Sequence, residues 1–554
     1  MSKSMSVGKG MVVAPQPEAA EVGVEALLRG GNAVDAALAC AFMQTAIDPM
    51  MCGIAGFGSM AVYLPGDPCI HEYIDFHAPA PGSVHPKMWE NLVLGQARDG
   101  FGFRLQGRVN DIGYQSICVP AALRGFHEAY CAYGRLPWAQ IVEPAIQASH
   151  DGWFVRPAVY SFWSAEGEMG RVGNAERLAY SESGRQLYCR SDGSPKRVGE
   201  WVRNPDYAHT LEAIAEYGPD VFYAGEIAER IARDMAKNGG LLSAQDLQQF
   251  RPTRNRPLQV TYRGHKVTAN PAPGGGIVLL EMLNILENFD LRALGHNSID
   301  YVTMMVEVMK RATIDKEEYV GDPNLLRVPT EKLLSKTYAR EIAAEIRNER
   351  RANVVRLSPS PGTDTTHVSV VDCEGGCVSL THSLGMPSGV ITPGLGFFFN
   401  GCMGAFDPRP NRAGSIEPGK ARFSGICPSL VFRSEAPFLV IGAPGGAQIP
   451  MGMVQAVVNV IDFDMTMQEA VGAPRFSATS NVIDVVNRIP RAMGRALSAR
   501  GYEVVRNPVS HSVAWVHGIR LSNGELDGGA DPGRDGVALA TDYIESVGNN
   551  KVIT

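Results

Sequence analysis

Residues 364–383 read DTTHVSVVDCEGGCVSLTHS. The runs Thr365 to Asp372 and Cys377 to Leu384 alternate with a period of two, the pattern of strands whose two faces meet different surroundings. Glu374, Gly375 and Gly376 between them suit the tight turn of a hairpin. Just upstream, residues 348–364, NERRANVVRLSPSPGTD, lose all periodicity and are polar and rich in Pro, Ser and Arg, as an exposed linker is. Thr365 therefore stands where a linker enters a strand.

A paired threonine at a strand start needs no explanation beyond β propensity. This position also offers chemistry. A threonine hydroxyl is a poor nucleophile unless a base lies beside it. Making threonine the first residue of a chain supplies that base, because a free α-amine has a pKa of about 7.7–8.0. That route requires cutting the Asp364–Thr365 bond by an N-to-O shift of the Thr365 hydroxyl onto the preceding carbonyl, followed by water.

Outward from this junction, the first part of the chain predicts two helices. Glu18 to Leu28 has helical spacing and is stopped by Gly30-Gly31; Asn32 can cap a second helix, Ala33 to Thr45, that is apolar nearly all round and so expected to be buried. Gly53, Gly56 and Gly58 precede an alternating strand, SMAVYL. The middle third is helix-rich (ALRGFHEAYCAYG, HTLEAIAEYG, SIDYVTMMVEVMKRATIDKEEYV), with Glu-Lys and Asp-Arg pairs expected on exposed faces. After the junction PSLVF and APFLVIGAP read as strands, then VQAVVNVIDF and MQEAVGAPRF as helices.

Composition limits the partners. The 554 residues carry a net charge of -7 and no Lys/Arg run, which argues against nucleic acid or an anionic membrane. The apolar stretch Ala36 to Ile47 is too short to span a bilayer and contains Gln44. The opening residues MSKSMSVGKGMVV lack the apolar core of a secretory signal, so the cytoplasm is the expected compartment. Ten cysteines without a CxxC pair read as reduced, mostly buried thiols. No HExxH and no Cys/His cluster suggests a metal, and PAPGGG at 271–276 lacks the GK[ST] ending of a phosphate loop, so neither metal nor cofactor is expected.

DTTHVSVVD followed by GGCVSLTHSLG resembles the start of the small subunit in the γ-glutamyltransferase family, whose members split before the first threonine of a TTH motif. Further matches occur in the family's order: GGNAVDAALA, GIAGFG, IDFHAPAP, VPAALRGF, YRGHKVTANPAPGGG, VEVMKRATIDKEEYVGDP, PGKARFSGICPSL, IGAPGGAQI and APRF. The resemblance implies an α+β fold of the N-terminal nucleophile hydrolase type, a four-layer αββα sandwich. It implies two intertwined fragments, 1–364 and 365–554, forming a heterodimer, with a dimer of such heterodimers left open.

It also implies roles. Thr365 is the nucleophile for self-cleavage and hydrolysis, its own α-amine the base. Ser383 matches a family threonine whose hydroxyl bonds the nucleophile, and Thr381, two residues back on the same face, can support the site. Gly445 and Gly446 match the oxyanion hole, where N–H donors must stand about 2.7–3.1 Å from the developing charge. Ser424 matches the first of two family serines. His367, though two residues from the nucleophile, is expected to be structural, and His382 has no role assigned.

The departures concern substrate. Where the family has an arginine after Asp-Phe, His77 stands here; the family's aspartate before phenylalanine in the NGCMGAF segment is Ala405; the second serine is Gly425; an asparagine is Gly385. These four positions read the α-carboxylate and α-ammonium of a glutamate head in the family. A charge-assisted hydrogen bond contributes roughly 1.5–3 kcal/mol, so losing such anchors weakens that head by orders of magnitude. The pattern is similar to glutaryl-type cephalosporin acylases and oxamate amidohydrolases and predicts hydrolysis of a small-molecule acyl amide with a non-glutamyl, dicarboxylic-type acyl group. The alternatives are a true γ-glutamyltransferase or glutathione hydrolase with an altered pocket, and an uncleaved binding protein. Arg104 and Arg108, in the loop FGFRLQGRVND, and Arg422 are candidate carboxylate binders, read foremost as surface charges.

Overall fold

A computed structural model describes residues 9–96, 102–167, 171–354 and 365–543. Its centre is two antiparallel sheets. In chain order their strands are β1 (Met11–Ala14), β2 (Phe57–Leu64), β3 (Ile70–Phe76), β4 (Thr253–Asn255), β5 (Leu258–Tyr262), β6 (His265–Ala269), β7 (Thr366–Val371), β8 (Cys377–Ser383), β9 (Ser429–Arg433), β10 (Ala436–Gly442), β11 (His517–Ser522), β12 (Glu525–Gly529) and β13 (Val537–Ala540). The first sheet runs β13-β1-β7-β8-β2-β3-β4, the second β12-β11-β10-β9-β6-β5.

Helices α1 (Pro17–Leu28), α2 (Ala33–Ile47) and α3 (Ala122–Tyr133) cover the outer face of the first sheet. Helices α4 (Gly276–Leu286) and α7 (Ile449–Ile461) cover the second, with α5 (Ile299–Tyr319) and α6 (Lys336–Arg347) packed on α4. The order helix, sheet, sheet, helix is the expected αββα sandwich. Among the described residues no helix is long and apolar enough to cross a membrane.

The local signals act as expected in the first layer. Asn32 caps α2, its side chain accepting from Val34 N and Asp35 N at 2.9 and 3.1 Å, while the Asp35 carboxylate accepts from Asn32 N at 2.9 Å. Every residue of α2 is buried, because the helix lies between the sheet, α1 and helix Trp138–Asp151.

Two sequence expectations fail. Glu307 and Lys310, a Glu-Lys pair of the helix-rich middle third, are buried in α5, where Glu307 forms an ion pair with Arg311 and accepts a hydrogen bond from Tyr502 at 2.9 Å. The stretch MQEAVGAPRF is helical only over Met467–Gly472; Phe476–Ser477 instead pairs with Val482–Val485. Pro474 has no N–H with which to continue a helix.

Both sheets mix chain from either side of Thr365. β7 and β8 lie between β1 and β2, and β9 pairs with β6. The space between the sheets is apolar at one end, filled by Val371, Cys377, Phe432, Val440 and Ile519. Toward the start of β7 it becomes polar, with His367, Ser369, Ser379 and Thr381 all buried there.

Candidate active site

The hairpin register pairs Thr366 with His382 and so sets Thr365 beside Ser383 at the strand ends. The Thr365 hydroxyl donates to Ser383 Oγ at 3.2 Å, and the Gly385 N–H donates to the same oxygen at 2.8 Å. Both hydroxyls are buried, with residue exposures of 3% and 1%. Asp364 lies outside the described residues.

From the second sheet, β10 ends at Gly442, and Pro444, Gly445 and Gly446 turn the chain into α7. Gly445 has φ 142° and Gly446 φ 59°, conformations that glycine adopts without strain. Close backbone approach requires glycine here too. A Cβ on Gly425 would lie 2.1 Å from Gly446 O, and one on Gly275 would lie 2.4 Å from Gly425 O. Three distant glycine segments thus stack backbone on backbone, and PAPGGG is part of that stack.

Together these segments wall a cavity, partly open to solvent, to which Thr365, Ser383, Gly385, Ser424, Gly425 and Gly446 all contribute. Ala405 lines it as well. Gly445 adjoins the wall through Gly446 without lining it, and two of the expected site residues lie elsewhere. The Thr381 hydroxyl is hydrogen-bonded to His367 Nδ1 at 2.8 Å, behind the nucleophile. His77 faces a neighbouring groove with Asp75 and Asp246, its Nε2 3.7 Å from Asp75. It follows Asp75 by two and keeps that carboxylate's side of the strand.

Electrostatics separates the histidines from the chemistry. Burial, then the neighbouring His517 and His382, push the His367 imidazole well below its ordinary range. Its two ring nitrogens bond the hydroxyls of Thr381 and Ser369, at 2.8 and 2.9 Å. A neutral ring so engaged is a brace. His382 lies on the opposite face of β8; burial takes it down to about 3, and its Nε2 bonds Gln44 Oε1 at 2.8 Å. Gln44 Nε2 in turn donates to Thr366 Oγ1, Gln16 Oε1 and the His367 carbonyl at 3.0, 2.8 and 3.2 Å. Gln44 and Gln16 therefore hold the residues just after the nucleophile. The signal for Gln44 was its position as an uncharged polar residue inside an apolar helix.

The three arginines divide. Arg108 forms two hydrogen bonds with Glu176 on the surface, at 2.9 and 2.8 Å, and Arg104 is exposed; neither lines the cavity. Arg422, read foremost as a surface charge, is only 7% exposed. Its guanidinium lies 4.4 Å from the centroid of the Phe57 ring, and both line the cavity. Arg171, which the sequence reading passed over, lines it too and pairs with Asp111 at 3.4 Å. No group of three His, Cys, Asp or Glu suited to a metal occurs among the described residues.

A buried threonine at a strand start, a hydroxyl beside it and a glycine turn facing it, in an αββα sandwich, define an N-terminal-nucleophile-type amidohydrolase. The chain belongs to the gamma-glutamyltranspeptidase family, whose model matches residues 19–541. It is 36% identical over 545 residues to the acylase ACY 1 proenzyme of Pseudomonas sp. (strain SE83), covering 97% of this chain and 94% of that protein. It is 32% identical over 551 residues to the glutathione hydrolase proenzyme of Escherichia coli (strain K12), covering 95% and 90%. Among solved structures, a cephalosporin acylase from Bacillus halodurans superposes with a TM-score of 0.84 at 30% identity, over 96% of both chains.

Proposed function

We propose that this chain is a self-processing N-terminal-threonine amidohydrolase acting on acyl amides whose acyl group is of the dicarboxylic type. Cleavage before Thr365 exposes an α-amine that takes the proton from Oγ1 as that oxygen attacks the amide carbonyl. The negative charge gathering on the carbonyl oxygen is met by N–H groups of the Gly445-Gly446 turn. The amine leaves with the proton, and water then hydrolyses the acyl-threonine ester. The observation that carries this reading is the Thr365–Ser383 hydroxyl pair, 3.2 Å apart, in the wall of a cavity that Gly446 also lines. The acylase and glutathione hydrolase relatives, both named proenzymes, support self-processing. The ten free cysteines support a reducing compartment such as the cytoplasm.

Glycine at 385 and 425 and alanine at 405, all lining the cavity, speak against a glutamate head. A second reading, γ-glutamyl hydrolysis or transfer, draws on the E. coli relative. Denaturing electrophoresis and N-terminal sequencing test the processing. Bands of roughly 39 and 20 kDa, the smaller beginning TTHVSVVD, are expected, at about 110 Da per residue. Full activity from an uncut chain would refute the mechanism. Amine release from glutaryl, succinyl, oxalyl and γ-glutamyl amides separates the two substrate readings: fastest turnover of the γ-glutamyl amide would favour the second.

A further inference from the structure

We propose that Arg422 is the specificity residue that receives the far carboxylate of the acyl group. The proposal rests on the amidohydrolase reading above and names the reader of its substrate.

Arg422 is more than nine-tenths buried, yet no acidic side chain among the described residues pairs with it. Nη1 donates to the Phe423 carbonyl at 3.0 Å, and Nε is buried with no hydrogen-bond partner. A buried guanidinium without a counter-ion is strongly unfavourable. One that lies in a cavity wall therefore marks where an anion arrives. The Phe57 ring under the guanidinium fixes its plane, so the fork is set in orientation before a ligand enters.

The altered positions make room for it. A Cβ on Gly385 would stand 3.3 Å from Arg422 Nη2 and 3.1 Å from Cys402 Sγ. Any side chain at 385 would thus occupy the space beside the guanidinium, and glycine leaves that space to a ligand. Ala405 and Gly425 leave further space in the same cavity. Thr365 lines the cavity along with Arg422, so an acyl group held by its carboxylate at Arg422 can present its other end, the amide carbonyl, to the nucleophile. The ligand class that fits is a short dicarboxylic monoamide, bound by a planar two-pronged contact.

The test compares a glutaryl anilide with a pentanoyl anilide, equal in carbon count but uncharged. The ratio of their kcat/KM values is measured in the wild type and in Arg422→Met, Arg422→Lys, Gly385→Asn and, as a surface control, Arg108→Met. Binding of glutarate to each processed protein is measured by calorimetry. Arg422→Met is expected to lower the ratio on the order of ten- to a hundredfold, mainly through KM, and to weaken glutarate binding similarly. Arg422→Lys should fall between, and Gly385→Asn, which crowds the guanidinium, should also lower the ratio. An unchanged ratio in Arg422→Met, with splitting and Tm preserved, overturns the proposal. If that variant does not fold, the outcomes for Arg422→Lys and Gly385→Asn decide in the same way. If no acyl amide is turned over, the amidohydrolase reading falls separately; glutarate binding lost in the Arg422 variants then still supports the anion site, and binding equal in all variants overturns it.

Discussion

Thr365 has one oxygen to act with, and its placement depends on few contacts. Thr365→Ala is expected to leave a single band near 59.7 kDa and no amide hydrolysis, both read on purified protein. Thr365→Ser keeps a hydroxyl and should split slowly. Ser383→Ala removes an oxygen that accepts from the Thr365 hydroxyl and the Gly385 N–H, at 3.2 and 2.8 Å. A lost hydrogen bond of about 0.5–1.5 kcal/mol predicts kcat lower by up to roughly tenfold. A variant as fast as the parent would remove Ser383 from the site. Thr365, Ser383 and the paired glycines were legible because their motifs are local and keep their order along the chain. Arg422 was not, because GKARFSG reads as surface. Its burial comes from Phe57, Gly385 and Cys402, which are neighbours only in the folded molecule. His77 misled for the opposite reason: its place in the sequence matched a substrate reader, while the strand directs it over the next groove.

The β7–β8 hairpin carries a line of polar groups into the interior of a sandwich, and three buried histidines lie at or beside it. Burial lowers His382 to about 3 and His517 to about 4; burial, with His517 and His382 nearby, also holds His367 well below its ordinary range. These rings are neutral in the folded chain and titrate near 6.5 once unfolded. Below pH 6.5 the unfolded state therefore binds more protons, so stability falls as pH falls toward 4 and levels off above 6.5. Melting temperature is expected to drop steadily between pH 6.5 and 4. His382→Gln should flatten the slope by one ring's share, up to about 1.4 kcal/mol per pH unit; a slope unchanged by the substitution would contradict this origin. The strands and α2 were readable from periodicity and from Asn32. The burial of Glu307 and Arg311 was not, since a charged pair four residues apart looks the same from sequence whether water or another helix covers it.

At the scale of the molecule, the cut proposed before Thr365 divides the strands of both sheets between two pieces. β7 and β8 pair with β1 and β2, β9 with β6, and β13 with β1, so the 364- and 190-residue pieces share four hydrogen-bonded ladders. They are expected to co-elute on gel filtration in native buffer and to part only in denaturant; separation without denaturant would show that the ladders contribute little. The four-layer architecture was not legible from periodicity alone, which gives elements without their neighbours. It came from the resemblance, because pairings such as Met11 with Val371 join residues hundreds of positions apart.

The interleaved strands also bear on durability. An uncut chain that unfolds carries both halves of every ladder with it and can rebuild them at any dilution. Once the bond is broken, reassembly becomes a meeting of two separate molecules, slow when they are scarce and exposed to aggregation while each waits. The mature protein is thus expected to last for as long as its unfolding barrier holds, with heat inactivation that cooling does not reverse.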